Sequence, residues 1–297
     1  MDGSSDRDPA TGDASRFEDA ERAVHRVDAP AAEPPDGTAP GNPDESLLRT
    51  VGVAAALGTA GVIILVAIAA VVIFVGAATG LTFGTVFIGS IVLGQYIGFI
   101  GLGTAYLRGR GLNWRGIHSY LGLRVPSLRE VGVMVGGYLA IIGTLLIVVT
   151  VALRFLPEPA ENEGAETFAG NPELIPAGIV VMFLVVGPSE ELLFRGVVQN
   201  RIRERLSAVP AVAVAGSLFA FAHLVALLGS PPSAIAVTVA ILLVPGFVLG
   251  AVYEYTGNLV VPWLLHSTHN SVLLAALLLS QSLDAPAGLL STVIAAV

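Results

Sequence analysis

The chain has 297 residues, 54% hydrophobic and only 13% charged, which is the composition of a membrane protein rather than of a soluble domain. It has no cysteine, so disulfides, thiolate catalysis and zinc–thiolate sites are excluded. The net charge of -8 lies entirely in residues 1–45, which hold 12 acids and 4 arginines, while the remainder balances at 11 acids and 11 arginines.

From Met1 to about Asn42 the chain is Asp, Glu, Ala, Pro, Gly and Ser with almost no large apolar side chains. Such a segment cannot bury enough surface to offset chain entropy. Residues 1–46 are therefore expected to form a disordered acidic cytoplasmic tail, with at most a weak helix over Phe17 to Val27. All 15 basic residues are Arg. Lack of Lys together with an acidic tail points to an archaeal or other salt-loving, GC-rich source, because high salt screens the tail's self-repulsion; codon bias alone is the plain alternative. The N-terminus lacks the basic start and early apolar run of a signal peptide, so the first spanning helix is expected to direct insertion.

Residues 47–297 read as an all-α, polytopic transmembrane helical bundle, since about 20 apolar residues span a bilayer. Seven stretches qualify: Val51 to Ala78, Phe83 to Leu107, Val131 to Phe155, Leu174 to Gln199, Val209 to Leu228, Ile235 to Tyr255 and Leu259 to Leu279. The apolar Leu289 to Val297 lies at the interface or belongs to an eighth span, giving seven to eight in all. Little strand-like alternation is present, which favours helices over a barrel. The many glycines fit close helix packing. Trp114 and Trp263 read as interfacial belt residues.

Loop charge sets orientation. Arg108, Arg110, Arg115, Arg124 and Arg129 follow the second stretch, and Arg201, Arg203 and Arg205 follow the fourth. Both loops are expected on the cytoplasmic side, with the last three arginines contacting lipid headgroups. The loop with Glu158, Glu161, Glu163 and Glu166 has no basic residue and is expected outside. The protein then lies in the cell membrane as a multi-pass chain with a cytoplasmic N-terminus. The bilayer and a membrane-embedded protein or peptide substrate are its expected partners, and nucleic acid is not.

Polar residues within the spans are the informative set. Glu190 and Glu191 follow an apolar run, and His223, His266, His269 and Asn270 fall in later spans. A charged side chain at the bilayer centre costs ~2.5–3.5 kcal/mol on insertion scales, so such residues are usually functional. Counting about 1.5 Å per residue, Glu190 lies about 13 Å from its helix's inner end, His266 about 10 Å in, Asn270 about 6 Å deeper and His223 about 20 Å in. These depths overlap. Glu191 and Arg195 are four apart and can pair on one face, while Glu190 is turned about 100° away and stays free for chemistry. His266 and Asn270 also share a face. A glutamate in an apolar site can act as general base and then acid. His223 could share its water, and His266 with Asn270 could donate to an oxyanion.

Three segments carry a resemblance. Glu190-Glu191-Leu192-Leu193-Phe194-Arg195 resembles the EExxxR motif of the CPBP family, the intramembrane glutamic proteases that include CAAX prenyl endopeptidases and bacteriocin-processing or immunity proteins. Phe219-Ala220-Phe221-Ala222-His223 resembles its FxxxH motif, and His266-Ser267-Thr268-His269-Asn270 its HxxxN motif. Each is weak alone; three in order on apolar helices are specific together. The likeness covers about Pro172 to Leu279, taken as the protease core. It implies Glu190 and His223 as water activators and His266 and Asn270 as the oxyanion hole, with Glu191, Arg195 and Phe219 supporting. It implies commonly eight spans. His269 is outside the shared pattern and reads as structural.

The function expected is peptide-bond hydrolysis by a glutamic-type intramembrane endopeptidase with no cofactor and no metal. Two alternatives stay open. Two His and a Glu form a zinc-like set, so a metal-dependent intramembrane protease is one, although HExxH is missing. A non-proteolytic scaffold or immunity protein that keeps the constellation as a polar core is the other. A proton-coupled transporter is disfavoured because no paired inverted halves are visible.

Overall fold

The computed structural model describes residues 45–160 and 162–282. The expected disordered tail up to residue 44, the weak helix at 17–27 and the apolar stretch 289–297 lie outside them. Every regular element among the described residues is helical. The helices are α1 (Leu47–Thr79), α2 (Phe83–Gly109), α3 (Trp114–Tyr120), α4 (Leu128–Phe155), α5 (Glu163–Gly170), α6 (Pro172–Arg203), α7 (Ala208–Ala222), α8 (Pro232–Thr256) and α9 (Val260–Ser282).

Six helices are long and apolar enough to cross a membrane among the described residues: α1, α2, α4, α6, α7 with the turn that follows it, and α8. This is fewer than the seven to eight spans expected. The seventh stretch does fold as one 23-residue helix, α9. Its run of polar residues from His266 to Ser271 makes it less apolar than the other six.

The surface is inside-out relative to a soluble protein. On α1 the buried positions are Thr50, Ala54, Gly58, Gly61 and Gly76, while Ile63, Ile73 and Phe74 point outward. Small residues let backbones approach, and large apolar ones face lipid. A Cβ on Gly98 of α2 would lie 2.8 Å from the Gly61 carbonyl oxygen of α1, so this crossing requires glycine. The largest core cluster joins α4, α8 and α9 through Ile141, Leu145, Val149, Ile241, Leu249, Val261 and Leu265.

One end of the bundle is tied by ions. Arg201 pairs with Glu45 and Glu204, Arg110 with Glu204, and Arg203 with Glu254 at 2.8 Å. Arg203 also donates to the Leu206 carbonyl, and Arg205 to the Glu45 carbonyl. Arg110 and the three arginines expected at lipid headgroups lash together the ends of α1, α2, α6 and α8. Both basic loops therefore lie at the same end. The start of α9 is fixed there too. Gly122, at φ +64, comes so close to Gly257 that a Cβ would sit 1.9 Å from its carbonyl oxygen, and Leu259 N donates to Leu121 O at 3.2 Å. At the opposite end the loop after α4 docks on α8, where Thr238 Oγ1 donates to Ala160 O at 3.0 Å.

Candidate active site

The site is built on a break in α6. Two π-helical turns, Met182–Val186 and Leu192–Gln199, flank a short α-turn, Gly187–Glu191, that carries both glutamates. Proline explains the first. Pro188 has no N–H and its ring crowds the carbonyl one turn back, so the chain widens there. Gly187 N bonds Met182 O, five residues back. In that register Pro188 would have served the Phe183 carbonyl. Trp263 of α9 takes its place, donating Nε1–H to Phe183 O at 3.0 Å. Trp263, expected as an interfacial belt residue, is thus a tie between α6 and α9. Trp114 is exposed at the start of α3, with the Arg108 guanidinium 5.7 Å from its ring centre.

The α6–α9 contact is close enough that a Cβ on Gly187 would lie 2.0 Å from Ser267 Oγ. That proximity sets His266 of α9 between the two carboxylates of α6. Its Nδ1 is 2.9 Å from Glu191 Oε1 and its Nε2 is 3.9 Å from Glu190 Oε2. Glu191 Oε2 is 3.2 Å from Arg195 Nε, an ion pair in which both side chains are completely buried. The atoms are close but not aligned as a hydrogen bond. The Arg195 guanidinium carbon sits 4.6 Å from the centre of the Phe219 ring, a cation–π contact that offsets some of the burial. The Glu191–Arg195 pairing inferred from spacing is present.

Glu190 is 8% exposed and its two oxygens differ. Oε1 accepts from Gln95 Nε2 at 2.9 Å, whereas Oε2 has no hydrogen-bond partner among the described residues. Gln95 lies at the start of a π turn in α2 and is itself buried. Its Oε1 is 3.1 Å from Ser189 Oγ. Glu190 is therefore held on one side rather than free.

Phe219 is the wall that the other groups share. Its ring centre is 4.8 Å from the His223 ring and 5.7 Å from the His266 ring, both edge-on. His223 was expected inside a continuous helix. It stands instead at the end of α7, where a 3-10 turn, His223–Leu227, begins. Its Nδ1 is 2.9 Å from the Phe219 carbonyl oxygen. A carbonyl only accepts, so Nδ1 carries the proton and Nε2 of the neutral ring is an acceptor. The same logic applies to His266: with Nδ1–H on the Glu191 carboxylate, Nε2 donates only when the ring is imidazolium.

Asn270 is half-buried one turn beyond His266, with Nδ2 3.9 Å from the weak acceptor Met182 Sδ. His269 is buried on another side of α9, edge-on to Tyr138 at 6.3 Å, with neither ring nitrogen hydrogen-bonded among the described residues. No three His, Cys, Asp or Glu side chains among the described residues converge in a way that could hold a metal ion. Gln95, Ser189 and Trp263 contribute to the site yet belong to none of the three motifs. The visible signal for Ser189 and Trp263 was Pro188, which predicts a disturbed helix and displaced carbonyls.

No curated protein and no solved structure matches the chain. Residues 172–272 match the family model described as type II CAAX prenyl endopeptidase Rce1-like. This segment holds Glu190, His223, His266 and Asn270, and its likeness to that family model is set in a multi-pass helical membrane protein.

Proposed function

We propose that the chain is an intramembrane endopeptidase in which Glu190 activates water for attack on a peptide carbonyl. The observation that carries this reading is the asymmetry of the Glu190 carboxyl: Oε1 is anchored by Gln95, while buried Oε2 has no hydrogen-bond partner among the described residues and faces His266 across 3.9 Å. An anchored carboxylate with one open, buried oxygen is the arrangement a general base requires.

Glu190 Oε2 takes one proton from water as its oxygen bonds to the carbonyl carbon. His223 Nε2 accepts the water's second hydrogen and orients it. The oxyanion receives hydrogen bonds from Asn270 Nδ2 and from His266 Nε2–H, the latter as imidazolium braced by Glu191. Glu190 then returns its proton to the departing amine nitrogen, and carboxyl and amine products leave. Arg195 and Phe219 hold Glu191 and the two imidazoles in place. No covalent intermediate is needed.

The basic loops at one end of the bundle face the cytoplasm in this reading, with the N-terminal tail on the same side. The test is a mass-spectrometric comparison of peptides released from membranes of cells carrying the wild-type protein and Glu190→Gln. The expected result is a set of fragments lost in the variant, unaffected by a chelator. Loss on chelation supports the metal-dependent alternative. An identical fragment set with full biological function in Glu190→Gln supports the scaffold.

A further inference from the structure

Hydrolysis consumes one water per bond, and a carboxyl inside a spanning helix is cut off from the water on either side of the bilayer. A polar row on α6 leads from the basic end to that carboxyl. Glu191, Arg195, Gln199 and Arg203 recur every four residues. In an α-helix each such step drifts about 40° round the axis. The wider π turn over Leu192–Gln199 takes up much of that drift. Two of the four meet the same residue of α8: Arg203 Nε lies 2.8 Å from Glu254 Oε1, and Gln199 Nε2 donates to Glu254 Oε2 at 3.3 Å as well as to the Gly250 carbonyl at 3.1 Å.

The row is open at its outer end and closed further in. The side chains of Arg203 and Glu254 are 13% and 22% exposed, whereas Gln199, Arg195 and Glu191 are fully buried. The buried members keep polar atoms to spare. Gln199 Oε1, Glu191 Oε2, Glu190 Oε2 and all three guanidinium nitrogens of Arg195 have no hydrogen-bond partner among the described residues. Arg carries five N–H donors, and a buried donor without an acceptor costs its full desolvation. Buried groups in that condition are the hosts of internal water, which makes about three hydrogen bonds to them. The walls beside the row are apolar. The Phe219 ring of α7 lies under Arg195, and a Cβ on Gly250 would lie 2.9 Å from Gln199 Oε1 and 3.1 Å from Val212 Cγ1 of α7. Other approaches are filled: Gln95 occupies the α2 side of the carboxyl, and toward the opposite end Phe168, Ile175 and Leu274 pack together.

We propose that Gln199, Arg195 and Glu191 form a file of internal water sites that carries water from the basic end of the bundle to Glu190. This rests on the hydrolytic reading of Glu190. Water enters between Arg203 and Glu254, donates to Gln199 Oε1, accepts from the Arg195 N–H groups, donates to Glu191 Oε2 and arrives at Glu190 Oε2. Each stop offers the role that water lacks at that point, so a molecule moves inward without losing all its hydrogen bonds at once. Arg195 thereby has a second duty beside its ion pair. Gln199, which belongs to none of the three motifs, is a positioning residue for the incoming water.

The test is X-ray radiolytic labelling of the full chain in lipid nanodiscs, which oxidises side chains next to bound water. Phe219 and Phe168 are both 2% exposed, and Phe219 borders the row while Phe168 does not. Phe219 is expected to be labelled well above Phe168. Rapid mixing into oxygen-18 water before the pulse then times the renewal of the water at Phe219. Gln199→Leu removes both polar atoms of the side chain. Gly250→Ala leaves Gln199 in place but sets a methyl group against its Oε1, and it serves if Gln199→Leu does not fold. Each is expected to slow oxygen-18 uptake at Phe219 about tenfold, the worth of one hydrogen bond on the way in, and to lower peptide release in step. Wild-type uptake in the folded variants overturns the proposal and leaves Gln199 a packing residue, as does wild-type labelling of Phe219 no greater than that of Phe168. The hydrolytic reading fails separately, when Glu190→Gln membranes release the same peptides as wild type; the labelling does not depend on that result.

Discussion

His266 Nδ1 and Glu191 Oε1 lie 2.9 Å apart, joining the third motif to the second glutamate of the first. The two residues are 75 positions apart in the chain and meet because α9 crosses α6 at Gly187. Glu191 therefore serves two partners at once, Arg195 through Oε2 and the His266 ring through Oε1.

That double duty makes Glu191→Gln severe. It leaves the fully buried Arg195 guanidinium without its ion-pair partner, which costs ~3–5 kcal/mol when a buried pair is broken from one side. A large fall in thermal midpoint in detergent is expected. Glu191→Leu with Arg195→Met removes both charges and is expected to regain much of that stability, since apolar replacements of whole buried pairs are often neutral. Peptide release stays lost in the double variant because His266 has no acceptor fixing its Nδ1–H.

Phe219→Leu separates packing from chemistry. The substitution keeps an apolar side chain but removes the ring beneath Arg195 and between the two imidazoles. The cation–π loss is ~0.5–2 kcal/mol. Peptide release is expected to fall at least tenfold, more than stability alone accounts for, and the check is activity per folded protein measured beside the melting curve.

Helix existence was legible in the sequence because lipid contact demands long apolar runs, and those runs ended close to where the helices end. At the start of α4 the boundary missed by a few residues has a plain cause. Expected Val131 is observed Leu128, because Ser127 and Glu130 form a capping box, and polar cap residues do not register as apolar. Glu191 with Arg195 was legible because a four-residue spacing fixes a shared face. Three things were not. The π turns depend on which backbone bonds form, His223 at a helix end depends on where α7 stops, and Gln95 reaches Glu190 from 95 positions away. A lone amide in an apolar stretch has no local pattern that reveals its partner.

Gly187→Ala tests whether helix contact sets the site. The added Cβ would meet Ser267 Oγ at 2.0 Å and Ser267 Cβ at 3.2 Å, so α6 and α9 must move apart. Overpacking of this kind costs ~1–3 kcal/mol. The protein is expected to fold yet release little peptide, because His266 retreats from both carboxylates. Ser267→Gly in the same chain clears the contacted side chain and is expected to restore part of the release. Full activity in Gly187→Ala alone would show that the crossing tolerates more space than the geometry implies.

Glu45 gives the acid sensitivity of the basic end. The Arg201 hydrogen bond holds its carboxyl below the ordinary value of 4.5; burial opposes this, and the charges of Arg201, Arg49 and Arg205 add to it. A folded value below the unfolded one means that the carboxylate stabilises the fold above pH 4.5 and that this contribution fades as pH falls through the lower folded value. Wild-type protein is thus expected to lose thermal stability across that acidic window. Glu45→Gln cannot titrate, so its stability should be lower at neutral pH and change less on acidification. Melting curves of both proteins in detergent between pH 7 and the acidic window decide it; parallel curves would assign the acid response to other carboxylates, with Glu204, which pairs with Arg110 and Arg201 at the same end, the next to substitute.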